Sequence, residues 1–489
     1  YRSDRLELPR TRRGPSRDAF RRTACGAVML THELCEIIAA TRFESLGAEC
    51  VLRVKQAIKD GVAVAMAGSR EQPIELLAAH LKSLGGKPQS TVWGAGYRTS
   101  PVHAAYANGA ATHVLDFEPM WLPPTHAVSP VVPAAFALAE ALGIGGREVV
   151  TAVAKGMEIQ GRVQYAANQF KPEKLRFHPP GIAGVLGAAV TAAHLLGLDS
   201  DRIAHALGIA ASRAGTLLAN IGSMTKSTHC GYAAASGVDA AMLASRGFTA
   251  HPAVLEAPRG FIETFYPDDF DRDRLLAYGK PFRIVEPGLA IKRFPSQFAT
   301  HWAITAGLEL HPKIQDPARI GRVVIRTPVM RYCDRPQPHN GHEGKFSFQY
   351  AAAVALLDGC VTIASFSDPR RFRSDMVALL GKTELVQDPT IPGEWVGMHV
   401  TIEVEMRDGS TLRTTCHGPR GAWGQPPLSP VEHEEKLRDC LDRALHASRI
   451  GRLLARLDQL DVQTARGVAT LMQSLAGRRA RARAANRKR

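Results

Sequence analysis

The 489-residue chain is predicted to be mostly α, a large all-helical domain with a smaller α/β (α+β) domain inserted in it. Three observations carry that expectation. Between about residues 30 and 285, Ala, Leu and Val recur every three or four positions, with starts at Ser, Thr or Pro and stops at Gly. From about 290 to 420 the spacing shortens to strand-like alternation. Helical spacing then returns in VEHEEKLRDCLDRALHASRIGRLLARLDQL, residues 431–460. The expected organisation is a basic tail over 1–24, a discontinuous helical domain from 25–289 plus 421–476, the α+β domain over 290–420 and a second basic tail over 477–489.

Within the helical region, Ser129-Pro130 offers a hydroxyl N-cap and a proline at the first helical position for VVPAAFALAEALG. Pro179 and Pro180 precede GIAGVLGAAVTAAHLLG, which closes at a glycine. Ser227 or Thr228 is expected to cap HCGYAAASGVDAAMLASRG, which leaves Lys226 beside unpaired backbone N–H groups that favour negative charge. Further on, RVVIRTPV (322–329) has the character of a strand, and Val400, Ile402, Val404 and Met406 alternate with polar residues. Asp408-Gly409 marks a hairpin turn.

Composition bounds the function classes. A 45% hydrophobic content can fill a core large enough for a buried site. No stretch of about 18 uncharged apolar residues occurs, so no membrane span is expected. The eight cysteines form no CxxC pair and no regular framework, the usage of reduced thiols in a cytoplasmic protein. The net charge of +15 suggests nucleic acid until it is located: residues 1–22 supply +5 and residues 478–489 supply +7, leaving +3 for the body. Arg-rich ends of this kind are expected to be disordered and solvated, and nucleic acid is not an expected partner. No glycine-rich phosphate loop follows a strand in a βαβ setting, and no His, Cys and carboxylate set has metal-ligand spacing. Chemistry without a metal or cofactor is the expectation.

Three stretches carry the chemistry: HVLDFEPMWLPPTH (113–126), RFHPPG (176–181) and GSMTKSTHCG (222–231). Each sets His or Lys just ahead of a small-residue helix, which is a way to build an anion pocket. His126, His178 and Lys226 are therefore expected to face one anionic ligand. His113 is read as a structural histidine on the same helical face as Asp116.

At these residues the chain also resembles the MmgE/PrpD family, and within it the branch that decarboxylates cis-aconitate to itaconate. The resemblance runs from about Leu30 to about Leu460, through STVWG (90–94), HVLDF (113–117), RFHPP, MTKSTH, IKRFP (291–295), RYCDRP (331–336) and FSFQYAAAVALLDG (346–359). It implies a helical domain built from both chain ends, a smaller lid domain, a site between them, a homodimer and a small polycarboxylate substrate. By the same resemblance Asp116, His126, His178, Lys226 and Tyr332 are the active-site positions. His126 is expected to transfer the proton, with Asp116 orienting a neighbouring imidazole, while His178 and Lys226 bind carboxylates. Met120, Lys292, Arg293 and Gln297 are expected to contact substrate. Family members also dehydrate 2-methylcitrate or epimerise amino-dicarboxylates, which leaves those reactions as alternatives. The chain departs from the family at Asp116-Phe117-Glu118-Pro119-Met120, where DFDDT is common, and at Leu122 and Gln297, where the decarboxylase branch has histidine. Those exchanges imply a pocket with fewer cations than a trianion would demand.

Overall fold

A computed structural model describes residues 29–170 and 175–477, and the two basic tails lie outside the described residues. The chain divides into two compact units. Among the described residues, unit 1 holds 29–114, 118–289 and 440–477, and unit 2 holds Leu115–Phe117 and Ala290–Asp439.

Unit 1 contains α1 (Leu30–Ala40), α2 (Ala48–Gly68), α3 (Gln72–Leu84), α4 (Pro101–His113), α5 (Val131–Leu142), α6 (Gly146–Ala166), α7 (Ala183–Leu195), α8 (Ser200–Ala211) and α9 (Thr225–Ser245). Two one-turn helices follow, α10 (Phe261–Phe265) and α11 (Arg272–Leu276). Local chemistry sets several starts: Ser100 caps α4 by accepting from the His103 N–H with Pro101 at the first position, and Asp199 caps α8 by accepting from Arg202. The small residues seen in the sequence bring helix backbones together. α4 packs on α9, α9 on α7 and α7 on α6. At Gly231 of α9 an added Cβ would lie 2.4 Å from the Tyr106 carbonyl oxygen, so only glycine permits this approach of α9 to α4.

Two short antiparallel ribbons interrupt the helical region, β1–β2 (Ser90–Val92 with Tyr97–Thr99) and β3–β4 (Met120–Trp121 with Thr125–His126). Helical periodicity had hidden both, because strands of two or three residues show no period of their own.

Unit 2 is built on a four-stranded sheet in the order β6-β5-β7-β8, with β5 (Ile320–Thr327), β6 (Thr383–Gln387), β7 (Val400–Met406) and β8 (Thr411–Cys416). β5 pairs parallel with β6 and antiparallel with β7, placing Ile325 opposite Ile402. β7 and β8 form the expected hairpin, with Gly409 at φ +88° in its turn. Val323, Ile325, Val400, Ile402 and Val404 are buried. Helix α12 (Thr300–Leu310) packs on β7, β8 and α14 (Phe348–Asp358), and α13 (Gly341–Gly344), α15 (Asp368–Arg371) and α16 (Ser374–Leu380) are short.

The unit boundary falls inside α17 (Pro430–Asp442), after which α18 (Ala447–Asp458) and α19 (Ala465–Ser474) belong to unit 1. Residues 421–439, assigned from the sequence to the helical part, thus cluster with the sheet instead. Among the described residues no helix is long and apolar enough to cross a membrane. The seven described cysteines form no disulfide with one another, and all but Cys360 are buried.

Candidate active site

The chain around residue 113 runs from α4 into unit 2 for three residues and returns at Glu118 to enter the β3–β4 ribbon. That path decides where each polar side chain goes. His113 is the last residue of α4, and Asp116 follows with φ +52°, so the two do not share a helical face as the sequence suggested. In the ribbon His126 lies directly across from Met120, and both are buried.

In unit 1 four histidines come together. Ring centroids of His113 and His126 are 4.2 Å apart, those of His126 and His178 5.7 Å, and those of His178 and His229 5.2 Å. One carboxylate serves the cluster. Glu118, wholly buried, accepts from His113 Nδ1 at 2.6 Å and from Ser129 Oγ at 2.7 Å through the same oxygen, Oε1. His126 Nδ1 lies 2.9 Å from that oxygen, out of hydrogen-bond alignment. His178 Nδ1 meets His229 Nδ1 at 3.1 Å, so one ring donates and the other accepts. The Gln160 amide donates to the His126 carbonyl at 2.6 Å and fixes the ribbon from α6.

The electrostatics follow from burial. Desolvation, reinforced by the charge on His126, pushes the His113 imidazole down to about 3, so it stands neutral as a donor to Glu118. Burial likewise holds His178 well below the usual imidazole range, with His113 and Lys226 adding to the effect, and lowers His229 beside Lys226. Burial pushes the Glu118 carboxyl up, but the imidazoles of His126 and His113 overcome it and hold the group well below the usual carboxylate range. Three buried polar atoms of this network, Glu118 Oε2, His113 Nε2 and His126 Nδ1, have no hydrogen-bond partner among the described residues.

Two capping expectations change. α5 starts at Val131 with Pro130 at its N-cap, because the Ser129 hydroxyl is used on Glu118. α9 starts at Thr225, ahead of Ser227 and Thr228, whose hydroxyls donate back to the carbonyls of Met224 and Thr225. Lys226 therefore lies inside the first turn, with its own N–H donated to Ser223. The helix end still favours an anion, and His229 stands one turn on, on the same face. His178 precedes the 3-10 turn Pro179–Gly181 and holds Thr216 by its backbone, donating its N–H to the Thr216 carbonyl and accepting the Thr216 hydroxyl.

Unit 2 holds the other expected residues in a different arrangement. Lys292, 1% exposed, donates to the Asp116 carbonyl at 2.8 Å, the Ser296 carbonyl at 3.1 Å and the Asp116 carboxylate. The carboxylate against an imidazole is thus Glu118, and Asp116 is paired with a buried lysine expected to contact substrate. Arg293 pairs with Glu432 at 3.2 Å. Gln297 donates to Tyr332 Oη at 3.1 Å. Tyr332 is in a 3-10 turn after β5, not in a strand, and is 41% exposed.

The sequence reading did not select Glu118 or His229 as site residues. Glu118 lay within a quoted motif but was taken only as a departure from DFDDT, and His229 becomes visible as a site residue only once α9 is known to begin before Lys226. A metal set is also present: His113, His126 and His178 each offer a ligand atom, all within 4.8 Å of one another, as do His113, Glu118 and Cys230. Residues separated by 13 and 52 positions give no spacing signal, and the charge of Lys226, which bears on His113 and His178, opposes a cation there.

Residues 32–273 match the N-terminal domain of MmgE/PrpD proteins, and residues 294–459 match the C-terminal domain. The chain is 31% identical over 444 residues to a cis-aconitate decarboxylase of Mus musculus, covering 88% of this chain and 91% of that protein. Its counterpart in Homo sapiens is 33% identical over 420 residues, covering 84% and 87%. A 2-methylcitrate dehydratase of Escherichia coli (strain K12) is 26% identical over 331 residues, covering 62% of this chain and 66% of that protein.

Proposed function

Because this chain belongs to the MmgE/PrpD family, we propose that it is a cofactor-independent lyase of small polycarboxylates that converts cis-aconitate to itaconate and CO2. One observation carries the reading: the buried cluster of His113, His126, His178 and His229 beside Lys226, tied to a single ionised carboxylate. Loss of CO2 from the CH2 arm of the cis-aconitate trianion leaves an electron pair that is delocalised over the adjacent double bond, and one proton delivered to the far alkene carbon, with the double bond shifting to the former CH2, gives the itaconate dianion. His126 is the proton donor in this reading, since an imidazole nitrogen can both carry and release a proton. Lys226 and His178 hold the remaining carboxylates, Lys226 through its charge and the positive end of α9. Asp116 and Lys292 have a structural part. A homodimeric, cytoplasmic state belongs to the same reading and rests on the family alone. Light scattering from the purified chain tests the dimer.

A second reading is favoured by the match to 2-methylcitrate dehydratase. The same imidazole could take a proton next to a carboxylate, after which hydroxide is expelled or the proton returns on the other face. Proton NMR separates the two. Purified protein is incubated with cis-aconitate and, separately, with 2-methylcitrate. Itaconate from the first supports decarboxylation, whereas a dehydrated or epimerised product without CO2 moves the assignment to the second reading.

A further inference from the structure

We infer that Glu118 is the positioning residue of this site: it fixes His113 and His126 as Nδ1–H tautomers and leaves Nε2 of His126 as the atom that carries or takes the reacting proton. The inference rests on the reading that His126 transfers a proton.

The geometry is specific to Glu118. Its Oε1 gathers three groups from three places in the chain, accepting from His113 at the end of α4 and from Ser129 ahead of α5 and lying 2.9 Å from Nδ1 of His126 in β4. A carboxylate accepts and does not donate when ionised, so each ring nitrogen facing it carries hydrogen. The carboxylate is completely buried, and its second oxygen has no partner among the described residues. A carboxylate with one oxygen crowded by three polar groups and the other unpaired is poorly placed to stabilise the fold. It is well placed to raise the basicity of an imidazole at the far nitrogen, as in the pairing of carboxylate and histidine in hydrolytic triads. His113 completes the arrangement, because its neutral ring holds the carboxylate in place without competing for its charge. The titratable groups facing the network from the surrounding elements are His113 of α4, His126 of β4, His178 before α7, and Lys226, His229 and Cys230 of α9.

Two measurements test it. Two-bond proton–nitrogen NMR of the uniformly 15N-labelled protein, free of substrate, reads the histidine tautomers directly. His113 and His126 are expected as Nδ1–H forms, and an Nε2–H form at His126 would overturn the inference without any assay of turnover. Glu118→Gln keeps an acceptor oxygen and removes the charge. It is expected to lower kcat by at least about tenfold with KM within about twofold. Glu118→Asp should recover part of the rate. Unchanged kcat in Glu118→Gln, alongside an inactive His126→Ala, would sink the role of Glu118 alone; an active His126→Ala would instead remove the proton-transfer reading beneath it.

Discussion

Each unit buries a charged cluster that the sequence drew attention to, around Glu118 in unit 1 and around Lys292 in unit 2, and the two are finished differently. Around Lys292 the ammonium is matched by a carboxylate and two carbonyls, one acceptor for each of its three protons. Around Glu118 one oxygen accepts from His113 and Ser129, while the other oxygen, Nε2 of His113 and Nδ1 of His126 are left without hydrogen-bond partners among the described residues. Burying an unpaired polar atom costs about 1–3 kcal/mol, so a network with three of them persists where something other than stability is served. A satisfied buried pair holds a fold together; an unsatisfied one marks where a ligand or a proton is handled.

The sharpest test is to break each cluster once and compare what is lost. His126→Ala is expected to lower kcat by about 10²–10⁴-fold and to leave the unfolding midpoint of the chain nearly unchanged. Lys292→Met is expected to do the reverse. It removes the lysine charge that faces the buried Asp116 carboxylate and should cost about 3–5 kcal/mol in urea unfolding. Adding Asp116→Asn removes the carboxylate charge as well and should recover part of that loss, which a double-mutant cycle would show. If Lys292→Met kept full stability and raised KM alone, Lys292 would be a substrate cation, as the resemblance implied, and the contrast between the clusters would fail. Lys226→Ala sits between these extremes: KM should rise by about tenfold or more, with a smaller fall in kcat.

What could be seen in the sequence follows the range of the interactions. The helices around Ala, Leu and Val repeats and the β7–β8 hairpin at Asp408-Gly409 depend on local period and turn chemistry, and they were legible. β6 was not, since TELVQ has intermediate or exposed side chains and pairs only because β5 lies beside it. In the site, His126, His178 and Lys226 were found because their motifs are contiguous. Glu118 was missed because its function depends on which side chain turns inward after α4 ends, and three residues of detour through unit 2 set that. The caps at Ser129 and Ser227 failed for one shared reason: a hydroxyl can satisfy a helix end or another acceptor, and local sequence does not say which.

The next test uses pH to measure how far His113 is committed. Burial, then the charge on His126, lowers its imidazole to about 3 from an ordinary 6.5. The unfolded chain takes up a proton on falling through 6.5 that the folded chain refuses until about 3. Stability from this group is therefore complete above the unfolded value and is lost progressively as pH falls between the two, at up to about 1.4 kcal/mol per pH unit. Glu118, also held down, adds loss in the same direction below the ordinary carboxylate range. His113→Asn can keep a donor for Glu118 but has nothing to titrate. Its stability should fall less steeply between pH 6.5 and 3 in urea unfolding, and an unchanged slope would show that His113 does not titrate differently in the folded chain.

The smallest effect is expected at Tyr332. Its hydroxyl accepts from Gln297 at 3.1 Å and lies 3.8 Å from Met330 Sδ. At 41% exposure the ring loses little when the hydroxyl is removed, because water replaces the bond to Gln297. Tyr332→Phe should therefore change stability by less than about 1 kcal/mol. It also separates two roles that the resemblance joined in one set of active-site positions. If only buried, incompletely paired groups handle the proton, kcat in Tyr332→Phe stays within about twofold of wild type. A fall of tenfold or more with stability intact would place the Tyr332 hydroxyl in the chemistry, and would show that an exposed group of unit 2 does work that the contrast between the clusters assigns to unit 1.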